Sequence, residues 1–254
     1  MTDHAHNQEQ NQPGKSGRIV GVNGNLLTVE FDQPVFQNEL GYALGDDFRL
    51  KSEVVRVRGR YAELQVFEET RGLRYGDQVQ FTGELLSAEL GPGLLGQVFD
   101  GLQNPLFGLA EKYGIFLPRG KYLPPLNKEA KWEFTPAVRP GDSISAGEAI
   151  GTVPESIFEH RIMVPFGLQG TCTVTEVADQ GTYSMDAVLA RLSTPEGRAV
   201  PVTMTQHWPV KIPVKSYRER LRPDEPMSTK IRIIDTFFPV AKGGRSEEHT
   251  SELQ

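Results

Sequence analysis

Glycine and proline punctuate this chain from end to end, and that spacing constrains its fold more than any other feature. There are 26 glycines and 18 prolines in 254 residues, about 17%, where roughly 12% is usual. Residues that stop helices and open turns at this density favour short strands and exclude a helical bundle. The first part of the chain shows the consequence. Residues 18–22 read as a strand, Asn23-Gly24-Asn25 is a turn because Asn-Gly accepts positive φ at little cost, and residues 26–31 return. Residues 48–57 and 61–67 form a second such pair around Arg58-Gly59-Arg60, and residues 76–83 alternate as a final strand. Five or six short strands within about 65 residues point to a small closed barrel, since closure removes exposed edges.

The texture changes at Glu84. Leu94, Leu95, Val98 and Leu102 stand at helical spacing and predict a short helix. Residues 106–113 predict another, with Pro105 at its start. Residues 118–140 read as an irregular, proline-rich stretch. The run Gly141-Asp142-Ser143-Ile144-Ser145-Ala146-Gly147-Glu148-Ala149-Ile150-Gly151-Thr152-Val153 then reads as two tight turns flanking short strands, the pattern of a small flattened β-sandwich. Residues 161–165, 170–177, 181–192 and 199–205 read as further strands. Residues 231–244 lead from an amphipathic turn into an apolar segment ending in Gly243-Gly244. The first 17 residues hold almost nothing to bury and are expected to be disordered.

Charge and cysteine count narrow the function classes. The 27 basic residues face 33 acidic ones, a net of -6, which argues against nucleic acid as a partner because such proteins need a basic face. A nucleic-acid-binding barrel is for that reason the weakest of the readings. No apolar run approaches a membrane span, and Met1-Thr2-Asp3-His4-Ala5-His6 has no secretory h-region. Cys172 is the single cysteine, so no intrachain disulfide forms, and the cytosol is the simplest compartment.

Chemistry-bearing residues are sparse. The phosphate-loop pattern G-x-x-x-x-G-K-[ST] occurs nowhere, so no glycine cradle and lysine for phosphates can be assigned; Gly91-Pro92-Gly93 and Gly243-Gly244 read as structural turns. His4 and His6 lack further ligands and read as part of a solvated tail. His160 and His207 are far apart, and His207-Trp208 reads as a packed pair at a domain seam. Cys172 lies in an alternating strand and reads as a buried structural thiol. Glu155 and Glu159 can be posed as an acid/base pair, against a default of solvated carboxylates. Arg218-Glu219-Arg220 with Arg222 reads as linker surface. The hairpin at 138–161 is shaped like that of a biotinyl or lipoyl carrier, but it contains no lysine to modify. No catalytic, cofactor-binding or metal-binding residue is therefore assigned.

Several segments together resemble one family. ELGPGLLGQVFDGLQNPL (89–106), RIMVPFGLQGTCTV (161–174), TQHWPVKIPV (205–214) and KIRIIDTFFPVAKGG (230–244) are similar, in order, to blocks of the catalytic A subunit of V/A-type rotary ATPases. A β-rich insert at about 113–192 favours that subunit over the non-catalytic B subunit and the F-type β subunit, which lack it. The resemblance covers 17–244 and stops where the family continues into a phosphate loop ending Gly-Lys-Thr. Residues 245–254, RSEEHTSELQ, look instead like a translated sequencing-adapter oligonucleotide and are expected to be non-native.

The resemblance implies a mostly β fold in pieces: a tail (1–17), a β-barrel (18–83), a β-rich insert (113–192), and the incomplete start of a P-loop α/β nucleotide-binding domain (84–112 and 193–244). It implies a parent that uses ATP and Mg2+ and moves protons or sodium ions as a translocase. Its partners would be B subunits in an alternating ring, with central and peripheral stalk subunits, on the cytoplasmic side and joined to the membrane only indirectly. The chain alone is then expected to bind neither ATP nor Mg2+ and to be inactive, with Leu94, Val98, Phe99, Ile233, Ile234, Phe237 and Phe238 as adhesive surface. The competing expectation is a natural short assembly module acting through its barrel.

Overall fold

The computed structural model describes residues 15–216 and 223–244. Its contacts divide the chain into one unit up to Lys215 and a second from Ser216. Residues 1–14 and the Arg218–Arg222 cluster lie outside the described residues, as does the tail after Gly244; Ser16 and Gly17, expected in the disordered tail, belong instead to the first strand, paired on both sides.

Six antiparallel strands close into a barrel: β1 (Ser16–Asn23), β2 (Leu26–Phe31), β3 (Glu39–Leu44), β4 (Arg49–Arg58), β5 (Tyr61–Val66) and β6 (Gln78–Leu85), in the order β1-β2-β5-β4-β3-β6. The turn chemistry works as read: Asn23 pairs with Leu26 across a two-residue turn whose Gly24 has φ of 57°. Alternate residues point inward, so Ile19, Leu27, Val29, Leu50, Val54 and Leu64 fill the interior with no exposed surface. Phe31 and Phe81 meet edge to face at 6.3 Å.

Strand β3 is the one that the sequence pattern conceals. Its buried positions are Glu39, Gly41 and Ala43, while Leu40, Tyr42 and Leu44 are only half-buried on the other face. The usual alternation is inverted, because β3 packs small groups against its neighbours and takes a carboxylate into the wall. Glu39 is fully buried. It accepts the Gly83 N–H at 2.7 Å and the Phe36 N–H at 3.1 Å, with Lys15 Nζ 3.8 Å away.

After β7 (Ser87–Leu90) the predicted helix around Leu94–Leu102 is absent; these residues form successive turns. Gly93 and Gly96 have φ of 101° and 77°, which a right-handed helix cannot contain. Asp100 then accepts the N–H groups of Leu102 and Asn104, an Asx turn that outcompetes helical pairing. The second predicted helix is present as α1 (Leu106–Tyr113), entered through Pro105 and ended at Gly114 with φ of 85°.

Two four-stranded sheets follow. One contains β8 (Lys131–Pro136), β10 (Ala149–Glu155), β11 (Phe158–Met163) and β13 (Gly181–Ser184) in the order β11-β10-β8-β13. The other contains β9 (Ser143–Ser145), β12 (Thr171–Val177), β14 (Ala190–Ser193) and β15 (Ala199–Val202) in the order β15-β14-β12-β9. Phe134, Ile150, Ile162, Cys172, Leu189 and Leu192 lie in their shared core. The stretch 118–140 is thus not irregular throughout, since β8 lies in it. The strand read at 181–192 is two strands, because Met185–Leu189 leaves one sheet and enters the other with Met185 and Leu189 buried.

Strand β16 (Gln206–Pro209) then returns to pair with β7, so the two chain segments flanking the sandwich lie side by side. The second unit contains β17 (Pro226–Met227), α2 (Arg232–Phe237) and β18 (Val240–Ala241), with β17 paired to β18.

Candidate functional site

The most organised polar cluster lies at the end of the β10–β11 hairpin. Glu155 ends β10 on the same face as the buried Val153, and His160 lies on the same face of β11 as the buried Ile162. Both therefore point along the core side of their strands. Glu155 is 4% exposed, and a buried carboxylate needs partners for its charge. It has three. One oxygen accepts the N–H groups of Gly93 at 2.5 Å and Leu95 at 3.1 Å; the other lies 2.6 Å from His160 Nδ1. The default of a solvated carboxylate is wrong for Glu155, because the glycine-rich loop folds back over it. Glu159 is exposed, opposite Pro154 in the ladder, and does not join it. The acid/base pair is not assembled.

The other sequence candidates scatter. His207 is exposed on β16, and Trp208 is packed not with it but edge to face with Phe166 at 5.6 Å, donating its indole N–H to the Ile212 carbonyl. Cys172 is fully buried in the sandwich core, as a structural thiol should be. Gly93 and Gly243 both adopt positive φ, consistent with turns.

A second cluster, invisible in the sequence, ties residues 119–122 to the barrel. Glu68 accepts the Tyr122 hydroxyl and the Gly120 N–H, and Tyr122 Oη in turn accepts the Lys51 N–H at 2.8 Å. Burial and the bond to Glu68 hold the Tyr122 phenol above its usual range. Burial lowers the Lys51 ammonium, with Asp100 and Glu68 opposing that shift. Arg119 stacks over Phe48 at 4.1 Å and donates to the carbonyls of Glu69 and Arg71. These partners stand 48 to 71 residues apart, so no local motif announces them. A cleft of about 460 Å³ beside this cluster is lined by Phe67, Asp100, Leu109, Leu117, Lys121 and Tyr122 among others.

In the second unit Asp235 gathers the N–H and hydroxyl of Thr229 and the N–H of Lys230. The Thr229 hydroxyl is the main reason that its carboxyl is held below the usual range.

The architecture is a small closed barrel followed by a two-sheet sandwich, with the buried Glu39 and Glu155 carboxylates accepting backbone N–H groups. Residues 19–83 match the ATP synthase alpha/beta family, beta-barrel domain, and residues 123–211 match the ATP synthase alpha/beta subunit barrel-sandwich domain. Over 228 residues the chain is 52% identical to the V-type ATP synthase alpha chain of Treponema denticola and 54% identical to V-type ATP synthase alpha chain 1 of Treponema pallidum. The Borreliella afzelii V-type ATP synthase alpha chain is 51% identical. Each match covers 90% of this chain but only 39 to 40% of the relative's length. The chain belongs to the V-type ATP synthase alpha chain family.

No residue is assigned to Mg2+-ATP among the described residues. Among the described residues no group of three His, Cys, Asp or Glu side chains could hold a metal ion, and the sequence contains no G-x-x-x-x-G-K-[ST]. No phosphoryl chemistry is therefore assigned to them. Among the described residues no helix is long and apolar enough to cross a membrane.

Proposed function

We propose that this chain supplies the barrel and barrel-sandwich part of the catalytic subunit of a V-type ATP synthase, a rotary translocase coupling ATP hydrolysis or synthesis to proton or sodium movement. The observation that carries this reading is the succession of both matched domains in one chain, at about half identity to alpha chains over 228 residues. In this reading the barrel, 18–83, packs into a ring with alternating B subunits. The insert, 113–192, lies on the outer surface toward the peripheral stalks. The segments 84–112 and 193–244 begin a nucleotide-binding domain, with central stalk subunits within the ring. Pairing of β7 with β16 supports the view that the sandwich interrupts one continuous structure. The assembly lies at the cytoplasmic side and meets the membrane through its other subunits.

The phosphate-binding lysine, the Mg2+-binding hydroxyl and the catalytic carboxylate belong to parts of the subunit not represented in these 254 residues, which alone neither bind nor hydrolyse ATP. Long-read sequencing of the coding locus through codon 244 tests this. A Gly-Lys-Thr loop in frame after Gly244 supports the catalytic-subunit reading and marks RSEEHTSELQ as foreign. A locus that encodes RSEEHTSELQ with no such loop downstream overturns it.

A further inference from the structure

The loop from Gly91 to Gln97 is held in two different ways along its length. Gly91 and Pro92 are buried, and a Cβ on Gly91 would stand 3.1 Å from Leu126 and 3.0 Å from Thr205. Beyond them the apolar anchorage fades: Leu94 is half-buried, Leu95 is 51% exposed, and Gly96 and Gln97 face solvent. What holds this distal half is polar. The N–H groups of Gly93 and Leu95 share one carboxylate oxygen of Glu155, 62 and 60 residues away in sequence. Gly93 and Gly96 take positive φ within this loop, a backbone that glycine adopts without strain. The same loop forms one wall of a cleft of about 240 Å³, where Leu94 and Leu95 face Met163, Pro165, Phe166 and Met204. His160 lines that cleft as well as holding Glu155. Latch and cleft therefore share a residue.

We propose that Glu155 and His160 form a latch that closes the loop 91–97 over the sandwich, and that breaking it frees the loop and opens the apolar cleft beneath. The inference stands on this local geometry and is independent of the rotary reading. Glu155 is the positioning residue for both loop amides, and His160 fixes the carboxylate by occupying its second oxygen. Without the carboxylate two amides lose a charged acceptor, while the β-ladders of the sandwich are untouched.

Amide hydrogen exchange followed by NMR on the full 254-residue chain, at one pH and temperature, tests this. In Glu155→Ala the Gly93 and Leu95 amides should exchange about 100-fold faster, the size of effect that loss of a charged acceptor brings. The amides of Val174 and Leu192 should keep their protection. In His160→Leu the two loop amides should speed up about 10-fold. An apolar fluorescent dye should bind Glu155→Ala more strongly than the wild type. Unchanged Gly93 and Leu95 exchange in Glu155→Ala overturns the latch. So does equal acceleration of Val174 and Leu192, which makes Glu155 a general support of the fold. His160→Leu behaving as wild type overturns the two-residue form of the proposal.

Discussion

Gly151→Ala is expected to weaken the sandwich far more than the addition of one methyl group implies. Gly151 sits in β10 opposite Pro136, next to the Thr152–Thr135 pair, where β10 crosses β8. A Cβ at this position would fall 2.5 Å from Phe134 Cζ and 2.6 Å from the Thr135 carbonyl oxygen. Phe134 is fully buried in the core, so its ring has nowhere to swing, and a backbone oxygen yields only if the two strands part. Overpacking of a tight core costs about 1–3 kcal/mol, and this site belongs at the upper end, about 3 kcal/mol. With a urea dependence of about 1.5 kcal/mol per molar, the midpoint should fall by about 2 M. Trp132, half-buried against the sandwich core, reports the transition by fluorescence once Trp208 is replaced by Phe. Gly167→Ala in the same sandwich is the control, because its Cβ meets nothing within 4 Å. It should be neutral or stabilise by about 0.4–1 kcal/mol through the unfolded chain. A Gly151→Ala cost below about 0.5 kcal/mol would refute the packing of β8 against β10 as described.

In the barrel, Glu39→Ala leaves the Gly83 and Phe36 amides without their acceptor and should cost about 2–4 kcal/mol; Glu39→Gln, which keeps one acceptor oxygen, should cost less in the same urea titration. Tyr122 should ionise above the usual phenol range in an absorbance titration, and Tyr122→Phe should remove that step. Its folded value is raised, so its contribution to stability is whole below the unfolded value of 10.0 and falls away as pH climbs past it. Denaturation midpoints measured on both sides of that pH check the sign. Isolated chains should self-associate through Phe237, Phe238 and Ile233, which are 72%, 71% and 61% exposed, together with Val98 at 49%. Light scattering that finds a stable monomer across concentrations would exclude this.

Where turn chemistry is local, the sequence by itself determined the structure. Asn23-Gly24 and Gly59 impose positive φ on their own residues, so four barrel strands and their hairpin pairing were legible, as were α1 behind Pro105 and the turns around Gly141 and Gly147. The ordered blocks from Glu89 to Gly244 also made the family readable. Where a polar side chain is buried by something distant, only the tertiary structure decided. Strand β3 escaped because its inward residues are Glu39, Gly41 and Ala43, and the burial of Glu39 relies in part on Gly83, 44 residues on, which offers its N–H beside that of Phe36. The helix expected at Leu94–Leu102 failed for the same kind of reason. Its apolar spacing was genuine, but Gly96 at positive φ interrupts the span, and the amides of Gly93 and Leu95, just before and at its start, turn to the distant Glu155 carboxylate. Periodicity reports which face a side chain prefers when its own neighbours decide; it carries no information about an acceptor 60 residues away, and the burial of Glu39 and Glu155 depends on such partners.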